Sequence, residues 1–166
     1  RKDLTAAVIV CSDNISAGHK EDKAGKAIIK KLEDCNVKIV DYTVIPDEVE
    51  NIQEQALKHQ NNKVDLIVFT GGTGLSVRDT TPEAMLPLFE KEIEGFGELF
   101  RAISYQEIGA STIQSRAFGG MANNTCIFCL PGSQNACKTG WNKIIAEQLD
   151  SRTKPCHFVD HLLCSE

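Results

Sequence analysis

The sequence lacks the features that mark membrane-spanning and exported chains. No apolar run approaches the roughly 20 residues that a bilayer-spanning helix needs, and no signal pattern stands at the N-terminus. It also lacks a surplus of basic residues, because its formal net charge is -5 at pH 7. Broad nucleic-acid binding needs a basic face, whereas local loops and helix ends bind small anions even on an acidic protein. We therefore expect a cytoplasmic protein with neither a membrane nor a nucleic-acid partner.

The seven cysteines give no sign of a disulfide framework. Their number is odd and most of them stand in apolar stretches, which is typical of reduced thiols in a core. Cys126 and Cys129 have the spacing of half a zinc site, but residues three apart in a strand point to opposite faces. We expect both to pack in the core rather than to share a metal.

No internal repeat and no linker divides the 166 residues. Apolar residues make up 42% and charged residues 25% of the chain, which is ordinary globular composition. We expect residues 1–166 to form a single domain with its own hydrophobic core. The first residue is Arg1 rather than Met, which leaves open a module of a larger protein.

Runs rich in Val, Ile and other β-formers predict four strands, at residues 4–11, 37–45, 64–70 and 125–130, of which the first and third are apolar enough to be buried. Apolar residues at helical spacing predict five helices, at residues 23–32, 49–60, 81–89, 96–107 and 135–149. Because strands alternate with helices, we expect an α/β fold with a mainly parallel sheet and helices on both faces. We interpret residues 12–18 as a loop and residues 119–124 as a turn.

In such folds a ligand binds outside the carboxyl ends of the strands. The predicted strands place four loops at that edge, at residues 12–18, 46–48, 71–80 and 131–135. The third loop carries the clearest motif, Thr70-Gly71-Gly72-Thr73-Gly74. Its glycines tolerate positive φ and let the backbone approach a ligand, so that successive N–H groups form a concavity for an anion.

The glycine-rich motif differs from two common nucleotide-binding loops. No Gly-Lys-Ser/Thr follows it, as in a P-loop, and it lacks the G-x-G-x-x-G pattern of dinucleotide-binding domains. We therefore predict a site for another class of phosphate-bearing ligand. A plain tight turn is the alternative.

Two carboxylates stand at the same predicted edge. Asp47 follows the second strand and a proline, and Asp79 follows the glycine-rich loop. Carboxylates so placed hold Mg²⁺ beside phosphates, which predicts metal-assisted phosphoryl or nucleotidyl transfer. The alternative is that both aspartates cap helices. Ser115 and Arg116 are further candidates, since a guanidinium binds phosphate through two hydrogen bonds, although a surface ion pair explains Arg116 as well.

The order of these motifs resembles the molybdenum cofactor biosynthesis family of bacterial MogA and MoaB proteins, to which the G domain of gephyrin is related. The resemblance covers nearly the whole chain. It comprises Val10-Cys11-Ser12-Asp13 with Ser16 and Gly18, Ile45-Pro46-Asp47-Glu48, Thr70 to Gly74 running into Arg78-Asp79-Thr80-Thr81-Pro82-Glu83-Ala84, Glu94-Gly95-Phe96-Gly97-Glu98, Gln114-Ser115-Arg116-Ala117 and Leu130-Pro131-Gly132-Ser133. It implies a three-layer α/β/α sandwich that assembles as trimers or hexamers.

The resemblance also implies an activity, the adenylylation of molybdopterin with ATP and Mg²⁺ and the release of pyrophosphate. The family's two essential aspartates fall on Asp47 and Asp79, and its pterin-binding loop falls on Gly71 to Gly74 with Glu83 close behind. The same site is implied to include Ser12, Asp13, Ser16, Gly18, Pro131, Gly132 and Ser133.

Residues 136–157 are more similar to the MoaB branch, some members of which have no demonstrated adenylyltransferase activity. The alternative function is therefore a protein that binds or carries molybdopterin without chemistry. The apolar residues Phe96, Leu99, Phe100 and Ile103 exceed what one helix face buries against its own sheet, which predicts an interface between copies. Together with the resemblance, this implies a closed trimer or a multiple of three.

Overall fold

The computed structural model of the chain describes residues 3–163. Six strands form one sheet, and they are β1 (Thr5–Cys11), β2 (Lys38–Ile45), β3 (Leu66–Thr70), β4 (Lys91–Glu92), β5 (Phe118–Ala122) and β6 (Thr125–Leu130). Their order in the sheet is β2-β1-β3-β6-β5-β4. β2, β1, β3 and β6 run parallel, and β5 and β4 are antiparallel additions at one end. The expected mainly parallel sheet is confirmed, since its parallel part consists of the four strands predicted from the sequence.

Helices cover both faces of the sheet. They are α1 (Asp13–Ser16), α2 (Ala24–Asp34), α3 (Val49–Asn61), α4 (Thr81–Met85), α5 (Glu94–Ile108), α6 (Gln134–Gly140), α7 (Ala146–Gln148) and α8 (Val159–Leu163). One face packs against α2, α5 and α6, and the other packs against α3 and α4. The three-layer α/β/α sandwich is therefore confirmed.

Alternation along β6 shows how the two cores are built. Cys126 belongs to the core on the α2 side and Cys129 to the core on the α3 side, and neither is exposed. Burial raises the pKa of both thiols, so they remain protonated and apolar. The expectation that the two cysteines pack in the core on opposite faces of the strand is confirmed. Among residues 3–163 no helix is long and apolar enough to span a bilayer.

The interpretation of residues 119–124 as a turn was wrong. Gly119 and Gly120 lie inside β5, and only Asn123 and Asn124, at φ 53° and 64°, connect β5 to β6. The glycines serve packing, because a Cβ at Gly119 would lie 2.9 Å from a ring carbon of Phe128 and one at Gly120 would overlap the ring of Phe89. A strand whose core positions are glycines carries no apolar signal.

Three helical segments also differ from expectation. The helix at residue 81 ends at Met85, and a 3₁₀ turn Leu86–Leu88 follows because Pro87 cannot continue an α-helix. The interpreted loop at residues 12–18 contains the short helix α1. The last helix is divided by a π-turn over Trp141–Ile145, between α6 and α7.

Candidate functional site

A cavity of about 520 Å³ opens at the carboxyl ends of β1, β3 and β6. The structure brings to it twelve side chains or backbone segments that sequence reasoning singled out, and those residues are Ser12, Asp47, Thr70, Gly71, Gly72, Thr73, Gly74, Asp79, Ser115, Pro131, Gly132 and Ser133. They come from five separate segments of the chain. The cavity therefore lies where parallel α/β sheets place their ligands.

Positive φ angles shape the start of the glycine-rich loop. Gly71 has φ 93° and Gly72 has φ 72°, which L side chains rarely adopt. A Cβ at Gly71 would overlap the carbonyl oxygen of Cys11, and a Cβ at Gly72 would overlap Thr81 Oγ1 and lie 3.1 Å from Asp47 Oδ1. Glycine is therefore required at both positions for the backbone to pass between β1 and α4.

The carbonyl groups of this loop are held by the protein. Thr81 donates its hydroxyl to Gly71 O over 2.9 Å and its N–H to Gly72 O over 3.1 Å. Arg116 donates its backbone N–H to Thr73 O and its Nε to Gly74 O, each over 3.0 Å. Within residues 3–163 no acceptor engages the N–H groups of residues 72–74, so carbonyls are occupied and N–H groups remain available for an anion.

Buried polar atoms of the cavity lack partners. Asp47 Oδ1, Thr70 Oγ1 and Ser115 Oγ are inaccessible to solvent and have no hydrogen bond within the described part of the chain. All three residues line the cavity. Since buried polar groups in folded proteins are nearly always hydrogen-bonded, three such atoms around one cavity indicate a polar ligand there.

Asp13 and Asp47 connect the loops that follow β1 and β2. The N–H of Asp13 donates to Asp47 Oδ2 over 3.1 Å, and the N–H of Asp47 donates to Asp13 Oδ1 over 3.0 Å. This exchange occupies one carboxylate oxygen of Asp47 and leaves the other, Oδ1, without a hydrogen bond in the described part of the chain. Asp47 is therefore oriented by Asp13 while it retains an acceptor for a ligand.

The two carboxylates differ in their electrostatic surroundings. Burial raises the pKa of Asp47, and the charges of Asp13 and Asp79 add to the increase, while the hydrogen bond from the Asp13 N–H opposes it. The Arg78 guanidinium lowers the pKa of Asp13. The ionised form of Asp47 is thus only partly compensated by its surroundings, and a bound cation would add the missing positive charge.

Asp79 faces the same cavity from the loop after β3. Its Oδ2 accepts the N–H of Ser76 over 3.0 Å and the Ser76 hydroxyl over 2.7 Å. No group of three His, Cys, Asp or Glu side chains suited to a metal occurs within residues 3–163. Mg²⁺ is nonetheless commonly held by one or two carboxylates with water and substrate phosphates. The orphaned Asp47 Oδ1 and the Asp79 carboxylate fit such a site.

Five predicted site residues lie outside the lining of the cavity, and they are Asp13, Ser16, Gly18, Glu83 and Arg116. The Arg116 guanidinium bonds both oxygens of Glu83, over 2.5 and 3.2 Å, and also reaches Asp79 O over 3.0 Å. Arg116 therefore supports the glycine-rich loop through its hydrogen bonds to the loop carbonyls. Its ion pair with Glu83 agrees with the alternative that the sequence left open for Arg116. Direct ligand binding by these five residues stays a prediction.

Two serines of the lining also act as helix caps. Ser12 Oγ accepts the N–H of Ile15 at the start of α1, and Ser133 Oγ accepts the N–H of Ala136 at the start of α6. Each serine fixes the loop that borders the cavity. The structural and the binding interpretations of these residues are therefore compatible.

Sequence reasoning missed Lys20 and Asp22 in the cavity lining, and it named Gln114 only as part of a motif without giving it a role in the site. Lys20 is the one basic side chain that lines this cavity in the described chain, and no spacing marks it because the loop around it is irregular. Asp22 is buried and accepts the N–H of Gly25 over 2.8 Å and the hydroxyl of Tyr42. An acid just before an amphipathic helix is a helix-cap signal, which sequence analysis did not use.

The molecule is therefore an α/β protein with a glycine-rich loop and a polar cavity at the carboxyl edge of its mainly parallel sheet. Residues 7–151 match the family described as a probable molybdopterin binding domain. The chain belongs to this molybdenum cofactor biosynthesis family.

Relatives of known name agree with the family. The chain is 45% identical over 146 residues to "Molybdenum cofactor biosynthesis protein B" of Escherichia coli K12, covering 87% of this chain and 86% of that protein. It is 41% identical over 152 residues to the protein of the same name in Staphylococcus aureus MRSA252, covering 90% and 89%. The crystal structure of the tungsten cofactor synthesizing protein MoaB from Pyrococcus furiosus superposes with a TM-score of 0.83 at 39% identity, covering 89% of this chain and 93% of that one.

Proposed function

We propose that this protein binds molybdopterin and ATP and adenylylates the pterin with Mg²⁺, giving adenylyl-molybdopterin and pyrophosphate. The observation that carries the proposal is the pairing of an anion-binding loop with two carboxylates in one cavity. A phosphate-bearing ligand explains the available N–H groups of residues 72–74. A divalent cation between that ligand and the acids explains Asp47 and Asp79.

In the proposed reaction a phosphate oxygen of molybdopterin forms a bond to the α-phosphorus of ATP. The bond from that phosphorus to the bridging oxygen of the β-phosphate breaks, and pyrophosphate leaves with the electron pair. When bound, Mg²⁺ neutralises charge on the phosphate oxygens. The glycine-rich loop, with Thr70 and Ser115 beside it, orients the pterin phosphate. Three acids line the cavity, Asp22, Asp47 and Asp79, and Lys20 adds a positive charge that partly balances theirs.

The second candidate is a carrier that holds molybdopterin without chemistry, as the MoaB-like sequence of the last third leaves open. The orphaned Oδ1 of Asp47 favours the enzyme, because a carboxylate aimed at an anion opposes binding unless a cation separates them. The pairing of Asp47 with Asp79 at the cavity strengthens this argument.

The proposal extends to the setting of the protein. A trimer or hexamer is supported by exposed apolar side chains on α5 and beyond it, where Leu99 and Tyr105 are about half exposed. A cytoplasmic location is supported by the six free cysteines among residues 3–163. We also propose that residues 1–166 form one domain around the single sheet, and that this domain serves alone or as a module of a larger protein.

Turnover by the purified protein tests the proposal. Incubation with molybdopterin and Mg-ATP is expected to yield adenylyl-molybdopterin and pyrophosphate in equal amounts, measured by chromatography and a pyrophosphate assay. Omission of Mg²⁺ or of the pterin should abolish both products. Tight pterin binding without either product would favour the carrier.

Asp47→Asn and Asp79→Asn separate catalysis from binding. If both acids act in the transition state, each variant should lose at least about a hundredfold in turnover while pterin affinity changes by no more than about threefold. Asp150→Asn is the matched control, because Asp150 pairs with Arg152 away from the cavity. Equal losses of turnover and pterin affinity would assign the acids to binding instead.

A further inference from the structure

Arg78 connects three loops at the carboxyl edge of the sheet. It belongs to the loop after β3 and immediately precedes Asp79. Its guanidinium donates to both carboxylate oxygens of Asp13, over 2.9 and 3.0 Å, and to Glu48 Oε1 over 2.9 Å. Asp13 follows β1 and Glu48 follows β2. One side chain therefore holds together the loops that carry Asp47 and Asp79.

Both acceptors of Arg78 are in turn attached to Asp47. Asp13 Oδ1 accepts the N–H of Asp47 as well as a guanidinium N–H, so one oxygen is shared between Arg78 and the Asp47 backbone. Glu48 is the next residue of the chain after Asp47. The Asp47 carboxylate thus sits between two groups that Arg78 fixes, although Arg78 itself does not line the cavity.

We propose that Arg78 is a positioning residue that sets the separation of Asp47 and Asp79 and thereby controls divalent-metal binding at this cavity. The inference rests on the proposed function in taking these two carboxylates as metal ligands. Asp13, Asp47 and Asp79 are like charges on neighbouring loops and repel one another until a metal binds. The planar guanidinium offsets this repulsion and fixes direction as well as distance, because it makes paired hydrogen bonds.

Stability alone is a poor explanation for this arrangement. The Arg78 side chain is 53% exposed, and exposed ion pairs contribute little to the free energy of unfolding. Metal binding responds differently, because Mg²⁺ tolerates little deviation from octahedral geometry and groups that orient its ligands change affinity strongly. Loss of Arg78 should therefore be seen in metal affinity far more than in melting temperature.

The test is titration of the full chain with Mn²⁺, with and without ATP, followed by the electron paramagnetic resonance signal of free Mn²⁺. Arg78→Gln should weaken Mn²⁺ binding about tenfold or more, the loss found when groups that orient metal ligands are removed. Arg78→Lys keeps the charge without the paired geometry and should lose less. Arg152→Gln is the matched control: it removes the same charge from another Arg–Asp pair, outside the cavity, and should bind Mn²⁺ like the wild type.

A second background shows whether Arg78 acts through Asp47. In Asp47→Asn protein, the further change Arg78→Gln should produce little additional loss of Mn²⁺ affinity, since the ligand it orients is already gone. An equal further loss would overturn the proposal. So would wild-type affinity in Arg78→Gln, a lower melting temperature with unchanged Mn²⁺ affinity, or a wild-type chain that binds no Mn²⁺ even with ATP.

The titration does not depend on turnover, so the two proposals can fail separately. A wild-type chain that binds Mn²⁺ through Asp47 but forms no adenylyl product would refute the reaction and leave the role of Arg78 intact. A chain that adenylylates molybdopterin while Arg78→Gln keeps full Mn²⁺ affinity would support the reaction and refute the role of Arg78. Should Arg78→Gln fail to fold, the Arg78→Lys titration carries the same test, and unchanged Mn²⁺ affinity there overturns the proposal.

Discussion

Asp47 holds its carboxylate in surroundings that disfavour its charge. Burial raises its pKa, with Asp13 and Asp79 contributing, and its Oδ1 has no partner among the described residues. Native proteins retain such strained groups mainly where function requires them, because selection for function opposes the gain in stability from their removal. Asp47 is therefore the residue at which stability and activity should respond in opposite directions.

The raised pKa gives this trade-off a direction with pH. The folded chain retains a proton on Asp47 at pH values where the unfolded chain has released it, so stability falls as the pH rises through the folded pKa. At pH 7 the change Asp47→Asn removes that cost. We expect calorimetry to give an equal or higher melting temperature for Asp47→Asn at pH 7, and a smaller difference near pH 4. A clear decrease at pH 7 would contradict the raised pKa.

Metal affinity should depend on the same pKa, but it should increase with pH where the stability of the fold decreases. Protonated Asp47 cannot ligate a cation, so Mn²⁺ affinity should fall as the pH decreases through the raised pKa, above the range near 4 of an ordinary aspartate. Titrations between pH 4 and 8 measure this acid limb. Asp47→Asn should remove the limb at its wild-type position, and an unchanged limb in that variant would assign it to another group.

Gly72 is the residue of the loop at which a side chain should be most damaging to ligand binding. Its φ of 72° disfavours L residues, and a Cβ would meet Thr81 and approach Asp47 Oδ1. Gly72→Val should abolish molybdopterin binding while the chain still folds, as measured by fluorescence titration and circular dichroism. Gly109→Val is the control, since φ is 65° there but nothing lies within 4 Å. Normal affinity in folded Gly72→Val would remove the loop from the site.

At the scale of elements, β5 shows how packing overrides local sequence. Gly119 and Gly120 are unfavourable in isolated strands, yet Phe128 and Phe89 need the space that their missing side chains leave. The ring of Phe89 also lies 5.7 Å from that of Phe118, between centroids. The strand is therefore specified by aromatic residues elsewhere in the chain.

This account of β5 predicts that a side chain at Gly120 overfills the core. Gly120→Val should lower the free energy of unfolding by about 1–3 kcal/mol, because the Phe89 ring must move. Gly95→Ala, in the first turn of α5 with open space around it, should be neutral or stabilising by up to about 1 kcal/mol. Urea unfolding of both variants checks the pair. An unchanged free energy of unfolding in Gly120→Val would contradict the close packing of the Phe89 ring against β5.

At the scale of the whole molecule, α5 and the turn after it expose several large apolar side chains in a single copy of the described chain. They are Leu99, Tyr105, Ile108 and Ile113, with exposed fractions of 47%, 56%, 53% and 78%. Tyr105 and Ile108 lie three residues apart on α5 and hence on a similar side of the helix, whereas Leu99 lies on another side and Ile113 follows the helix. Phe96 and Phe100, by contrast, are core residues, so only Leu99 and the partly buried Ile103 of the four residues first considered bear on assembly.

These exposed side chains predict an interface between copies, and the family resemblance implies that it closes a trimer or a multiple of three in solution. Burial of these side chains between copies would remove an apolar patch from water, and cyclic closure leaves no open end. Sedimentation equilibrium at micromolar concentration should give a mass of three or six copies, and Ile108→Glu should dissociate them. A single species at the chain mass of 18.2 kDa would refute the trimer.

Local sequence patterns are enough to predict the parallel part of the sheet and the principal loop of the site. Residues such as Val8, Val68 and Ile127 stand in apolar runs that only a strand covered on both faces explains. The loop from Gly71 to Gly74 and the residue Asp47 each follow a predicted strand. They are therefore expected at one edge of the sheet, because the carboxyl ends of parallel strands share that edge. Each of these features lies within one short segment, so the residue pattern of that segment is enough to predict it.

Which groups at that edge line the cavity depends on contacts between distant segments of the folded chain. Arg116 and Glu83 neutralise each other outside it, Lys20 reaches it from an irregular loop, and Arg78 joins Asp13 to Glu48. Each of these contacts joins segments far apart in the chain or depends on the path of a loop without periodic pattern. Spacing within one segment carries no information about such contacts, since they form only when the sheet brings the loops together.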